Sequence, residues 1–80
     1  MFAKIKDVIP LQDYILQVYF ENGDLKKYDV KNLFDCFETF ASLKNITGLF
    51  EQVKVDEGGY GISWNEDIDL SCDELFVNGY

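Results

Sequence analysis

Eighty residues make one domain over 1–80, with a core too small to divide. Hydrophobic residues are 48% of the chain and aromatics 16%, which excludes a disordered segment. Fifteen acids face seven lysines for a net charge of −8, with no arginine or histidine, so direct nucleic-acid binding is not expected: acids outnumber the phosphate-neutralising lysines and arginine forks for base edges are missing.

Lys4 to Ile9 reads as a first strand, closed by Pro10. Tyr14 to Phe20 is a stronger one, with Leu16, Val18 and Phe20 on one face and Ile15, Gln17 and Tyr19 on the other. Asn22-Gly23 signals a tight hairpin, because both residues tolerate positive φ. Leu25 to Val30 returns antiparallel. A two-residue turn sets Tyr28 opposite Gln17; a three-residue turn with a glycine bulge sets it opposite Leu16. The second is favoured because it gives Tyr28 an apolar neighbour.

The period then changes. Leu33, Phe34, Phe37 and Phe40 follow helical spacing, with Asn32 as N-cap and Asp35 in the first turn. A second turn around residues 47–51 buries Leu49 or Phe50. Both are too short to hold alone and must lie on the sheet. Val53 and Val55 alternate with Lys54 and Asp56, Glu57-Gly58-Gly59 turns the chain, and Gly61 to Trp64 returns. Ile68 and Leu70 alternate with Asp67 and Asp69. Ser71 to Glu74 matches a capping box that opens a last helical turn, with Leu75 and Phe76 inward. The expected fold is α+β: an antiparallel β-meander sheet with two or three short helices packed on one side.

These landmarks resemble a bacterial family known as domain of unknown function 2442. The likeness runs through Lys6-Asp7-Val8, Pro10-Leu11, Tyr14-x-Leu16-x-Val18-x-Phe20-x-Asn22-Gly23, Asp29-Val30 and Leu33. It resumes at Phe50, Val53-x-Val55-Asp56 and Trp64, and ends at Asp69-Leu70-x-x-Asp73-x-Leu75. The resemblance implies a small α+β fold with a β-meander and no established catalysis, and no cofactor is expected. Some relatives carry a helix-turn-helix segment after this domain, and others are encoded beside a small partner, which implies an antitoxin-like or regulatory role. No DNA-binding segment is expected after Tyr80. Glu66-Asp67 stands where many relatives have a glycine.

The candidate sites are weighed by chemistry. Asp67, Asp69, Ser71 and Asp73 have the odd-position spacing of a calcium loop, but Cys72 replaces its turn glycine and Asn78 its bidentate glutamate. An acidic strand leading into a capped helix explains the same residues, and no metal is expected. Cys36 and Cys72 lack a histidine to act as base. Cys36 reads as an inert thiol among phenylalanines, and Cys72, at a helix start, as the more reactive of the two. The start Met1–Pro10 has no long apolar core, so no secretory leader is expected, and the expected compartment is the cytoplasm. No stretch is long and apolar enough for a membrane span.

Phenylalanines can fill the core, which leaves amphipathic aromatics on strands for contact with another chain. The expected function is non-catalytic binding of a partner protein, in particular a small basic one encoded nearby. The expected surface comprises Tyr19, Tyr28, Tyr60 and Trp64, flanked by Asp67 and Asp69. The alternative is a small ligand held in a pocket between sheet and helices. Self-association through a sheet edge is compatible with both readings.

Overall fold

The computed structural model describes residues 3–80. Met1 and Phe2, the first positions of the stretch read above as no leader, lie outside the described residues. Strands β1 (Ile5–Pro10), β2 (Ile15–Phe20) and β3 (Leu25–Asp29) form an antiparallel meander. Alternation sets its two faces: Leu16, Val18 and Phe20 are buried, while Ile15, Gln17 and Tyr19 stay half-exposed. Leu16 stands opposite Tyr28, the register that the glycine-bulge turn predicts. Gly23 takes a φ of +97°, and Phe20 N–H bonds across the turn to Asp24 O at 2.9 Å.

The β1–β2 connection was not legible from sequence. Asp13 and Tyr14 both adopt left-handed backbone, at φ +62° and +59°. Aspartate tolerates that region; a tyrosine there needs tertiary support. The Tyr14 ring has it, packing edge-on against Phe34 at 5.3 Å and Phe50 at 5.2 Å.

The fold is α+β, and the last three strands form a sheet of their own. Strands β4 (Lys54–Val55), β5 (Gly61–Ser63) and β6 (Asp69–Ser71) run antiparallel in that order. The second sheet approaches the first where Gly59, in the β4–β5 turn, lies on the backbone of Ile5.

The middle segment departs from expectation. No helix spans 33–40; the chain makes a 3-10 turn at Val30–Leu33, another at Glu38–Ala41, a single α turn, α1 (Ser42–Asn45), and a 3-10 turn at Phe50–Gln52. The cap is Asp29, whose carboxylate accepts from Lys31 N–H at 3.0 Å, and not Asn32. Phe37 is extended (φ −133°, ψ 119°), which breaks the helical run, and its ring is exposed. Short turns let Phe40, Leu43 and Phe50 reach the core from successive directions, which one helix face could not do.

Helix α2 (Cys72–Asn78) closes the chain. Ser71 Oγ accepts from Glu74 N–H at 3.1 Å, but Glu74 does not reach back; only half of the expected capping box forms. Its carboxylate is drawn instead to Tyr28. Cys36, expected to be buried among phenylalanines, is not, and Cys72, expected as the more reactive thiol, is enclosed. Cys36 is exposed and Cys72 is 2% exposed, because the helix start faces the core and the residue-36 turn does not. Beyond α2, Tyr80 and Lys27 exchange two backbone hydrogen bonds of 2.8 Å, closing part of the β3 edge.

Candidate functional site

Two of the expected contact aromatics belong to the core. Trp64 is 4% exposed, donates Nε1–H to Phe50 O at 2.9 Å, stacks on Phe50 and meets Phe40 edge-on. Tyr28 is 5% exposed, and its hydroxyl donates to Glu74 Oε2 at 2.7 Å. Each polar tip is satisfied inside the molecule, so neither ring needs the wet boundary of an interface. Burial, then the hydrogen bond and charge of Glu74, push the Tyr28 hydroxyl well above the usual tyrosine range.

The other four expected residues lie at the surface without forming one site. Tyr60 is 52% exposed, with Lys4 Nζ 5.1 Å from its ring centre. Asp67 is exposed in a loop shaped by Asn65, whose Oδ1 accepts from Asp67 N–H and Ile68 N–H. Asp69 borders a shallow depression with Lys54, Asp56, Ser63 and Glu66, where Ser63 Oγ donates to Asp56 Oδ1 at 2.7 Å. Tyr19 belongs to the other sheet.

Tyr19 there is part of a surface that residue types alone did not reveal. Pairing places Asp7, Tyr19 and Leu25 in one cross-strand row and Ile9, Gln17 and Lys27 in the next, with Ile15 beside Asp29. The outward face of the first sheet thus groups Ile9, Ile15, Tyr19 and Leu25. Ile9 is 37% and Leu25 52% exposed. Gln17 Nε2–H donates to the Tyr19 hydroxyl at 2.7 Å, orienting the ring. The alternation in β2 marks Ile15 and Tyr19; adding Ile9 and Leu25 required the strand register.

A second feature lies between β3 and α2. Tyr28, Asp29, Asn32, Leu33, Glu74, Asn78 and Tyr80 line a cleft of about 330 Å³. Glu74 Oε2 takes hydrogen bonds from both Tyr28 and Asn78 Nδ2. This cleft adjoins the sheet and the 3-10 turn at Val30–Leu33, whereas the sequence pattern points to no more than a capping role for Glu74.

Charge is unevenly divided. Residues 51–80 hold eight carboxylates and one lysine, Lys54, so nearly all of the net charge comes from this last part of the chain. Among the described residues the ion pairs are those of Lys31 with Asp13 and Asp29, both at 3.1 Å. Partial desolvation pulls the Lys31 ammonium down, but the two carboxylates outweigh it and hold it above the usual lysine range. Among the described residues no three Cys, Asp or Glu side chains converge in a metal-binding group. No helix among them is long and apolar enough to cross a membrane.

A family model described as "protein of unknown function (DUF2442)" matches residues 5–79. No curated protein matches the chain, and no solved structure does.

Proposed function

The chain belongs to the DUF2442 family, and we propose that it is a non-catalytic interaction module that binds a small basic protein in the cytoplasm, in an antitoxin-like or regulatory role. The observation that carries this reading is the outward face of the first sheet. Ile9, Ile15, Tyr19 and Leu25 share the side of the sheet opposite the core, interleaved with Asp7, Gln17, Lys27 and Asp29. Apolar and aromatic anchors of this kind supply most of the energy of a protein interface.

Charge supports a basic occupant. Apart from Asp13 and Asp29, the carboxylates have no cation within ion-pair distance among the described residues. Their field speeds encounter with a positive partner and repels an acidic one. The mechanism is occlusion: the sheet face covers a functional patch on the partner while the acidic remainder guides its approach.

The test is co-purification of the tagged chain from its native host, repeated with face variants. The wild type should retain a partner with a strongly basic composition. Tyr19→Ala combined with Leu25→Ser should weaken that complex by at least about tenfold, the scale of a hot-spot residue. Tyr60→Ala should leave it unchanged. Retention of the same partner by the face variant, or a wild type that stays monomeric and unaccompanied, would overturn the proposal.

A further inference from the structure

We infer that the cleft between β3 and α2 receives a guanidinium group, contributed by an arginine of the basic partner; the source of the group rests on the function proposed above. Glu74 and Asp29 bring negative charge to this cleft. Asp29 is already engaged, since its carboxylate accepts from Lys31 N–H and pairs with the Lys31 ammonium. Glu74 is not neutralised. It takes two neutral hydrogen bonds, from Tyr28 and from Asn78, and both fall on Oε2. Its Oε1 carries no hydrogen bond among the described residues, and no lysine comes within ion-pair distance of either oxygen.

The remaining walls suit a flat, delocalised cation better than a compact ammonium. Asn78 donates an amide hydrogen to Glu74, and Asn32 also lines the cleft, so two side-chain amides with accepting carbonyl oxygens belong to its wall. Leu33 and Tyr80 add an apolar and an aromatic residue to the lining. A guanidinium presents five N–H donors in one plane and stacks on aromatic faces, so it can meet Glu74 and the two amides while lying against Tyr80. The site is held ready on both sides. The Tyr28 hydroxyl fixes the carboxylate, and the paired backbone bonds between Tyr80 and Lys27 fix the residue that carries the ring. The chain contains no arginine, so the group must come from outside it.

The test is a titration of the ¹⁵N-labelled full chain, followed by amide chemical shifts, with a blocked Gly-Arg-Gly peptide, the same peptide carrying neutral citrulline, and free arginine. The arginine peptide should shift Asn32, Leu33, Glu74, Asn78 and Tyr80 along a saturable curve, with a Kd on the order of millimolar. Citrulline should produce no saturable shift there. A peptide that outcompetes free arginine points to a protein-borne side chain, and the reverse order would overturn that source. Glu74→Gln should weaken binding by about tenfold, the scale of one charge-assisted hydrogen bond, and Glu66→Gln should not. Should Glu74→Gln fail to fold, Asn32→Ala tests the same cleft from its rim and should also weaken binding. Equal response to citrulline, shifts centred on residues 56–69, or indifference to both cleft variants would overturn the inference. No partner protein is needed for this experiment. Loss of the arginine response with a face-dependent complex intact would sink the cleft alone; the converse would sink the proposed function alone.

Discussion

The Tyr28 hydroxyl sits where a negative charge cannot be accommodated, against the Glu74 carboxylate and out of water. The folded chain therefore keeps this proton to higher pH than the unfolded chain does. Below about pH 10, the ordinary tyrosine value, both states are protonated and the bond contributes in full. As pH rises further the unfolded state releases its proton first, and stability falls by up to about 1.4 kcal/mol per pH unit. Urea unfolding of wild type and Tyr28→Phe at about pH 8 and 11 should show the wild type losing more stability than the variant. Parallel losses would show that the hydroxyl is not held as described. Trp64 makes a similar point without a charge: its N–H is spent on Phe50 O, inside the core. Amphipathic aromatics are ambiguous in a sequence, because their polar tips serve an interface or a buried partner equally well. Only the location of Glu74 and Phe50 O decided these two.

Elements form here under local rules but are positioned by contacts between them. Gly23 and Gly59 both adopt positive φ, at +97° and +80°. A methyl group on Gly23 would meet nothing within 4 Å, whereas on Gly59 it would come 2.7 Å from the Ile5 carbonyl oxygen. Gly23→Ala should therefore cost only the left-handed strain, about 1–2 kcal/mol. Gly59→Ala should cost more, because it also pushes the β4–β5 turn away from β1. Chemical denaturation of the two variants compares them, and equal losses would mean that the two sheets do not depend on this approach. The first hairpin was legible because its turn chemistry and its alternation agree. The middle segment was not: its aromatic spacing mimics a helix, yet Asp29 caps earlier and Phe37 interrupts the run.

At the scale of the molecule, the carboxylates concentrated in residues 51–80, none of them ion-paired among the described residues, must repel one another. Salt screens that repulsion over about 10 Å at 0.1 M. Raising sodium chloride from about 0.02 to 0.3 M should increase the melting temperature by a few degrees, since about 1 kcal/mol shifts a domain of this size by roughly 4–8 °C. Calorimetry in the two buffers checks it, and a flat or falling melting temperature would mean that the carboxylates are compensated in the folded state. The same salt should weaken the proposed complex, because there the carboxylates attract. Stability and binding thus move in opposite directions with one variable.

By itself the sequence determined the α+β class, the first hairpin with two candidate registers, the Ser71 cap and the acidic character. Each of these follows from neighbours in the chain, through alternation, turn residues, hydrogen bonds spanning three residues, or a simple sum of charges. The tertiary structure alone decided that the strands divide into two sheets, that Cys72 is buried and Cys36 is not, and that Tyr28 and Trp64 face inward. It also decided that Ile9, Ile15, Tyr19 and Leu25 share a face and that Glu74 stands in a cleft. The reason is that burial and convergence are properties of pairs distant in sequence. Tyr28 and Glu74 are 46 residues apart, and no local pattern encodes their meeting.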